Sequence, residues 1–342
     1  MTWKVVMTLD LPAYADINEK SFVEIQAHFF KKQCNSEEEI IALAYDADAI
    51  ITISLYQKIT RKVIEQLRHC KIIANIGIGY EGIDVEAATE QGICVANVAD
   101  YCLNEVSEHT LALMMACARR LFTLDRLVRE GKWTVDRPEM RYEIYPTIHR
   151  LHTQTLGLIG FGRIPQTIVP MVRELVSRIL TYDPYVSPDI PAQMGVELVE
   201  LDVLLSQSDF VSVHANLTPE TKGLIGMAQF KKMKSTAYLI NTSRGPLVDR
   251  NALSTALSQG IIAGAALDVL DPEPPDPNDP ILHLNNVILT GHSAFASVEA
   301  NLELHERPVE EVIRVFNGEW PRNFINPQVK DLHRAKHRKG TS

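Results

Sequence analysis

Three polar residues, Arg244, Glu273 and His292, each follow a strand-like apolar run in this sequence. In open parallel sheets, ligands bind outside the carboxyl ends of the strands, so these three side chains are expected to face one site. Taken singly, each has a structural explanation, because most arginines are exposed, acids in proline-rich loops are usually solvated and most histidines are not catalytic. Their combination predicts acid–base chemistry on a substrate with planar oxygens.

The chemistry that fits these residue types is the reduction of a carbonyl group. The imidazole of His292 can act as a general acid and base, and a neighbouring carboxylate such as Glu273 stabilises its protonated form. The guanidinium of Arg244 can bind a carboxylate or carbonyl oxygen through its fork of donors. We interpret the set as machinery for reversible hydride transfer at carbon 2 of a 2-oxo or 2-hydroxy acid, which requires a nicotinamide cofactor.

The segment 156–165, LGLIGFGRIP, predicts where that cofactor binds, because an apolar strand runs into a glycine turn that opens a helix. Gly160 allows the tight turn, and Gly162 lets a pyrophosphate approach the amide groups at the helix start. Asp183 follows the next strand at the spacing of a carboxylate that binds ribose hydroxyls, so NAD(H) is expected in preference to NADP(H). Pro165 stands where a third small residue is usual, and proline is tolerated in a first helical turn.

Alternating strand and helix patterns predict the α/β class, with two doubly wound parallel-sheet domains, Rossmann-like or flavodoxin-like, and a cleft between them. The expected substrate (catalytic) domain comprises residues 1–102 and 299–330, the NAD-binding Rossmann domain comprises residues 103–298, and residues 331–342 form a flexible tail. Residues 104–131 are apolar nearly all round, which predicts one long helix buried in the subunit or against a partner. Residues 17–32 show an amphipathic pattern.

The composition of the 342 residues argues against several other classes. A formal net charge of −9 is atypical of a nucleic-acid binder. The five scattered cysteines are expected to be reduced, buried thiols. No apolar run has the length of a membrane span or a signal-peptide core, so a cytoplasmic protein is expected. His149 and His152 have a metal-like spacing without an accompanying acid or thiol, so no metal is expected.

The order of several motifs resembles that of the D-isomer-specific 2-hydroxyacid dehydrogenases. The resemblance covers residues 77–295 and is carried by the runs GIGYEGIDVEAATEQGICVAN, NEVSEHTLALMMACARR, GLIGFGRIP, HANLTPETKGLI, NTSRGPLVD, GAALDVLDPEPP and TGHSAF. The segments ADYCLNEVSEHT and GEWPRNFINPQ are similar to the branch that includes C-terminal binding protein-like and phosphoglycerate dehydrogenase-like bacterial reductases.

This resemblance implies a role for each matching residue. Arg244 matches the substrate-binding and catalytic arginine, Glu273 the glutamate that pairs with the histidine, and His292 the acid/base. The cofactor contacts that it implies, together with those of the glycine turn, are Thr110, Gly160, Gly162, Arg163, Ile164, Asp183, His214, Thr242 and Asp268. The implied substrate contacts are Ile78, Gly79, Arg244 and Phe295.

The resemblance also implies partners and leaves an alternative open. A homodimer is expected through residues 104–150, with a small 2-oxo or 2-hydroxy acid as substrate and no nucleic acid or membrane. Gly291 replaces a proline common before the histidine, which is expected to loosen the loop. The alternative is an NAD-sensing interaction protein with little turnover. Relatives of the formate type carry an amide at the position of Glu273, which argues against that reaction.

Overall fold

The computed structural model describes residues 2–11, 17, 20–133 and 140–332. The chain divides into a first unit, Met1–Tyr101 with Ser297–Ser342, and a second unit, Cys102–Ala296. Each unit is built on one parallel sheet, so the predicted pair of parallel-sheet α/β domains is confirmed. Within the described residues, no helix combines the length and the apolar character needed to cross a membrane.

The first unit contains a five-stranded sheet in the order β2-β1-β3-β4-β5. The neighbouring strands Ala49–Thr52 and Ile72–Asn75 are buried at every position, as expected for parallel strands covered on both faces. The strands are β1 (Lys4–Met7), β2 (His28–Lys31), β3 (Ala49–Thr52), β4 (Ile72–Asn75) and β5 (Cys94–Ala96), and the helices between them are α1 (Lys20–Glu24), α2 (Glu37–Ala44), α3 (Arg61–Glu65) and α4 (Val85–Glu90).

The second unit begins with two helices and continues as alternating strands and helices. Its elements are α5 (Leu103–Ala118), α6 (Leu121–Arg129), β6 (Thr155–Ile159), α7 (Arg163–Val172), β7 (Arg178–Tyr182), α8 (Asp189–Gln193), β8 (Glu197–Leu198), α9 (Leu201–Gln207), β9 (Phe210–Val213), α10 (Met227–Phe230), β10 (Tyr238–Asn241), α11 (Arg250–Ser258), β11 (Gly264–Leu267) and β12 (Val287–Leu289). The strand order is β12-β11-β10-β9-β6-β7-β8. Strands β7 and β8 lie on one side of β6 and strands β9 to β12 on the other, so the order of the strands reverses between β6 and β9.

Both faces of the second sheet are covered because successive strand residues enter different cores. Leu158 belongs to a core shared with α5 and α7, whereas the next residue, Ile159, belongs to a core shared with α9, α10 and α11. Leu239 and Ile240 divide between the same two cores. The sheet is therefore doubly wound, and in sheets of this kind ligands bind outside the carboxyl ends of the strands.

The last helix, α12 (Val298–Phe316), returns the chain to the first unit. It begins at Ser297, whose hydroxyl accepts from the amide of Ala300, and it packs against β3 and β4. Farther on, the buried side chain of Asn326 accepts from the amide of Val95 at 2.8 Å and donates to the carbonyl of Ile93 at 2.9 Å. Residues 333–342 of the expected tail lie outside the described residues.

The prediction of one long helix over residues 104–131 is wrong. Two helices, α5 and α6, occupy this segment, and Arg120 between them has a left-handed backbone with φ +55°. Eight of the sixteen residues of α5 are buried, whereas α6 has no buried residue. An apolar pattern continues through the break because Leu121 and Phe122 are apolar but exposed.

The amphipathic segment 17–32 also divides into two elements. Helix α1 ends at Glu24, Gln26 adopts a left-handed φ of +54°, and β2 follows. Strand β2 forms because its backbone pairs in parallel with β1, where Val5 lies opposite Phe29. Tertiary pairing of this kind overrides a local helical pattern.

The five cysteines are buried thiols outside any disulfide, as predicted. Burial raises the pKa of the Cys117 thiol to about 12, so this group stays protonated at neutral pH. The cysteines therefore act as small apolar side chains of the core.

Candidate active site

The glycine turn lies where the order of the second sheet reverses. Gly160 follows β6 directly and has φ +92°, a backbone that strongly favours glycine. A Cβ atom at this position would lie 2.9 Å from the carbonyl carbon and oxygen of His214, which follows β9. The turn can therefore approach the neighbouring strand end only because residue 160 has no side chain.

Helix α7 starts immediately after this turn with Gly162 as its N-cap. No side chain caps the helix, and a Cβ atom on Gly162 would meet nothing within 4 Å, so the space beside the helix start is open. Pro165 is buried in the first turn of α7, where its missing amide hydrogen costs no intrahelical bond. A helix start with uncapped amides and open space fits a pyrophosphate, as the sequence predicts.

Asp183 is fixed beside the turn by two backbone amides. Its Oδ2 accepts from the amide of Phe161 at 2.8 Å, and its Oδ1 accepts from the amide of Tyr185 at 2.9 Å. The carboxylate therefore joins the glycine turn to the loop after β7. Its position places a negative charge at the end of β7, next to the predicted pyrophosphate site.

His214 is neutral at physiological pH. Burial lowers the pKa of its imidazole to about 3, because the charged form would lose its hydration. The Nε2 atom lies 2.8 Å from the hydroxyl oxygen of Ser212. The Nδ1 atom is buried and has no hydrogen-bond partner within the described residues. The imidazole thus carries one unpaired polar atom, on the residue whose backbone carbonyl approaches Gly160.

Two predicted cofactor residues from distant parts of the chain meet directly. The hydroxyl of Thr110 on α5 donates to the carbonyl of Val106 at 2.7 Å and lies 2.9 Å from the hydroxyl of Thr242. Because Thr110 has used its proton, Thr242 is the donor between them. Helix α5 also contacts the start of α7, since the Ser107 hydroxyl lies 3.4 Å from the carbonyl of Ile164.

His292 and Glu273 form a direct hydrogen bond, with 2.6 Å between Nδ1 of the histidine and Oε2 of the glutamate. The Glu273 side chain is held at its other oxygen, which accepts from the amide of Leu270 at 3.0 Å. The side chains of His292 and Glu273 are 30% and 26% exposed, respectively. The pair therefore leaves Nε2 of His292 as the ring nitrogen that can exchange a proton with a bound molecule.

Arg244 lies on the loop after β10, which touches the loop that carries Glu273. A Cβ atom on Gly245 would lie 1.8 Å from the carbonyl oxygen of Leu270, so the two loops approach each other closely. Asn241 fixes the arginine backbone by donating to its carbonyl at 2.9 Å. The structure thus places all three candidate catalytic residues on loops at the ends of β10, β11 and β12, which are neighbouring strands.

The loop that carries His292 is tied to Asp268. The Asp268 side chain, 1% exposed, accepts from the hydroxyl of Thr290 at 2.6 Å and from the amides of Ser293 at 2.9 Å and Ala294 at 3.0 Å. Its backbone carbonyl accepts from the amide of His292 at 2.6 Å.

Gly291 and His292 both have left-handed backbones, with φ +64° and +55°. A proline at position 291 is incompatible with that backbone, because its ring fixes φ near −65°. The glycine therefore permits a loop shape that the common proline would not, and the hydrogen bonds to Asp268 hold this shape.

The predicted substrate residues Ile78 and Gly79 lie in the first unit, after β4. Asn97 donates to the carbonyl of Ile78 at 2.7 Å, and Asn75 donates to the carbonyl of Gly79 at 2.8 Å. These bonds fix the peptide groups of the loop. In the second unit, Arg163 is exposed at the start of α7 and Phe295 is half-buried after Ala294.

Sequence reasoning missed two residues of the site. Asn241 orients the backbone of Arg244, and His109 contacts Thr290 with 3.0 Å between Nε2 and the hydroxyl oxygen. His109 could have been identified from its position next to Thr110 in the run NEVSEHT. The signal for Asn241 was a polar residue at the end of an apolar strand, three residues before Arg244.

A family model described as "D-isomer specific 2-hydroxyacid dehydrogenase, NAD binding domain" matches residues 111–294. The chain is 40% identical over 322 residues to a glyoxylate reductase of Korarchaeum cryptofilum, covering 92% of this chain and 95% of the relative. It is 38% identical over 311 residues to a D-3-phosphoglycerate dehydrogenase of Archaeoglobus fulgidus, covering 91% of this chain and 56% of that longer protein.

Among solved structures, the PH0520 protein from Pyrococcus horikoshii OT3 is similar over the full length of both chains. The TM-score is 0.82 and the sequence identity is 28%. The similarity therefore extends over both units of the chain.

The pKa of His214 predicts an acid-dependent loss of stability. At this histidine the unfolded chain takes up a proton near pH 6.5, whereas the folded chain does so only near pH 3. Protonation therefore favours the unfolded chain, and the free energy of unfolding falls as the pH drops below 6.5. Between pH 7 and pH 5 we expect this histidine to lower the free energy of unfolding by about 2 kcal/mol. Urea unfolding at both pH values should show a shallower pH dependence for His214→Gln than for the wild type.

The same substitution at the exposed His283 is the control for this measurement. Equal pH dependence in the wild type and in His214→Gln would contradict the assignment of a neutral, buried imidazole.

Proposed function

Because the chain belongs to the D-isomer specific 2-hydroxyacid dehydrogenase family, we propose that it is an NAD(H)-dependent reductase of small 2-oxo acids. Membership makes it an NAD-dependent oxidoreductase. What we propose in addition is the class of substrate, the direction of the reaction and the roles of individual residues. The observation that carries the proposal is the hydrogen bond between His292 and Glu273, on loops anchored by Asp268 and Leu270. This pair lies in the unit that the NAD-binding family model matches.

His292 is proposed to donate the proton that ketone reduction requires. NADH, when bound, supplies a hydride to carbon 2 of the substrate. The carbonyl oxygen gains negative charge as the carbon is reduced, and Nε2 of His292 transfers its proton to that oxygen to form the hydroxyl group. Glu273 holds Nδ1 and stabilises the imidazolium before the transfer. Proton uptake from solvent then restores the charged ring.

The substrate is proposed to be held by its carboxylate and its carbonyl oxygen. Arg244 provides two parallel donors for these planar oxygens, and the amides of Ile78 and Gly79 bind the carboxylate. Phe295 provides an apolar wall. The loop of Ile78 and Gly79 in the sequence GIGYEG has no lysine or arginine, which favours an unphosphorylated 2-oxo acid. The similarity to a glyoxylate reductase makes glyoxylate the first substrate to test.

The cofactor is proposed to bind across the glycine turn. Gly162, Arg163 and Ile164 at the start of α7 accommodate the pyrophosphate, and Asp183 accepts the ribose hydroxyls. The remaining proposed cofactor contacts, which line the ends of the neighbouring strands, are Thr110, Gly160, His214, Thr242 and Asp268. A fixed carboxylate at position 183 repels the 2′-phosphate of NADP(H), so NAD(H) is the proposed cofactor.

A homodimer is proposed through the segment that contains α6. This helix has no buried residue, yet Leu121 and Phe122 are apolar and 52% and 58% exposed. Trp133 and Tyr145, from the same stretch of chain, are also exposed. An apolar surface formed by large side chains is typical of an interface between subunits, and a second copy of the chain is the proposed partner. Residues 134–139 of the expected interface lie outside the described residues.

Replacing His292 by glutamine should lower kcat for NADH-dependent glyoxylate reduction by about 10²- to 10⁴-fold, because the proton donor is lost. The NADH dissociation constant should change little. Stopped-flow absorbance and NADH fluorescence measure the two quantities, with His283→Gln as the exposed control. Unchanged turnover in His292→Gln would overturn the assignment. Wild-type protein that binds NADH but reduces no 2-oxo acid would favour the NAD-sensing alternative.

Replacing Asp183 by asparagine should reduce the preference for NADH over NADPH by about tenfold or more, because a charge that repels the 2′-phosphate is removed. Steady-state kcat/KM values with both cofactors measure the ratio. Asp189→Asn changes the same charge at an exposed position of the same unit and should leave the ratio unchanged. A ratio unaffected by Asp183→Asn would refute the role of this carboxylate.

Replacing Leu121 and Phe122 by aspartate should yield a monomer, because burying two charges in an apolar interface is costly. Sedimentation equilibrium measures the mass. Val298→Asp introduces the same type of charge at an apolar residue that is 84% exposed on α12 and should leave the mass unchanged. A dimer that persists in the double variant would place the interface elsewhere.

A further inference from the structure

We propose that His109 is a positioning residue that fixes the loop carrying His292, acting through the hydroxyl of Thr290 and the carboxylate of Asp268. The inference rests on the proposed function, since it concerns the placement of the proposed acid/base. His109 lies on α5 and is separated from Thr290 by 181 residues in the sequence. Nothing in the proposed chemistry uses it directly.

The direction of the hydrogen bonds follows from counting protons. A threonine hydroxyl has one proton, and that of Thr290 is donated to Oδ1 of Asp268 at 2.6 Å. The Thr290 oxygen can therefore only accept from Nε2 of His109, which lies 3.0 Å away. His109 must therefore carry a proton on Nε2. The two hydrogen bonds therefore run in one direction, from His109 to Thr290 and from Thr290 to Asp268, and we call this chain of hydrogen bonds the relay.

The relay supplies one of the donors that hold Asp268 in place. This carboxylate is almost completely buried and also accepts from the amides of Ser293 and Ala294. A buried carboxylate is stable only when hydrogen bonds replace its lost hydration. A hydroxyl that itself accepts a hydrogen bond is a stronger donor, because hydrogen bonds in a chain polarise one another. His109 therefore strengthens the bond that anchors the beginning of the loop.

The loop needs such an anchor because its backbone is strained. His292 has φ +55°, a left-handed conformation that is unfavourable for a residue with a Cβ atom. Strained residues keep their conformation only when the surroundings over-determine it. The hydrogen bonds to Asp268 at Thr290, Ser293 and Ala294 enclose His292 on both sides in sequence. If the Thr290 bond weakens, His292 can relax and its ring no longer points its Nε2 at the substrate oxygen.

Helix α5 makes His109 a suitable fixed point. The helix has sixteen residues, contacts β10 and β11, and packs along α7 through Leu113 and Met114. The Nε2 atom of His109 lies 3.8 Å from Oδ1 of Asp268, so it reaches the carboxylate through Thr290 rather than by a direct hydrogen bond. The relay thus links a helix that packs against the sheet and α7 to the loop that carries the partly exposed side chain of His292.

Two variants of matched size test this inference in the full-length protein. Glutamine at position 109 keeps an N–H donor near the position of Nε2, whereas glutamate presents only acceptors there and adds a negative charge near Asp268. We expect His109→Gln to keep kcat for glyoxylate reduction within about threefold of the wild type and His109→Glu to lower it by roughly tenfold or more. The KM for glyoxylate should change less than kcat, because Arg244 still holds the substrate.

A second readout does not depend on turnover. Hydrogen–deuterium exchange of the peptide that contains residues 290–296 should accelerate several-fold in His109→Glu and stay near the wild-type rate in His109→Gln. Combination with Thr290→Val tests the relay, since without the hydroxyl the difference between glutamine and glutamate at position 109 should largely disappear. Thr290→Ser keeps the hydroxyl and should restore the difference. Thermal unfolding of each variant shows that it is folded.

Equal kcat values and equal exchange for His109→Gln and His109→Glu would overturn the inference, as would additive effects of the changes at positions 109 and 290. If His109→Glu does not fold, His109→Met replaces it as the variant without a donor and is judged in the same way. A wild-type protein without reductase activity would refute the proposed function, and the exchange rates would still decide whether His109 holds the loop.

Discussion

The burial of one carboxylate, that of Asp268, is the constraint on which the candidate site depends. An ionised acid removed from water must be surrounded by donors, and here these donors come from one loop: a hydroxyl at Thr290 and amides at Ser293 and Ala294. The same hydrogen bonds therefore compensate the buried charge and fix the shape of the loop. The loop can then hold His292 in a left-handed backbone that would otherwise relax.

The second sheet supplies the remaining geometry through its strand order. The strands β10, β11 and β12 are neighbours, so the loops that follow them carry Arg244, Glu273 and His292 to one edge. The reversal of order between β6 and β9 leaves room beside the glycine turn at the same edge. Parallel strands thus place the residues proposed for proton transfer and the glycine turn proposed for cofactor binding at the same edge, although Arg244, Glu273 and His292 are separated in sequence.

The sequence was sufficient for the features that depend on short-range patterns. The apolar runs that precede Arg244, Glu273 and His292 predicted that these side chains follow strand ends, and the structure joins His292 and Glu273 by a hydrogen bond. Their catalytic roles stay predictions.

Features that depend on pairing across the chain were missed. Strand β2 forms only because β1 is beside it, and the break at Arg120 is hidden by exposed apolar residues that continue the helical pattern. His109 was missed because its partner is 181 residues away and the contact runs through a hydroxyl.

The course of the chain through its two units has a consequence for biosynthesis. The second unit is one continuous segment, whereas the first needs α12 against β3 and β4, and Asn326 against β5, to complete its packing. During translation the ribosome therefore releases every residue of the second unit before the first has its last helix. Until then, the apolar faces of β3 and β4 lack that cover, and transiently exposed apolar surface of this kind is prone to aggregation.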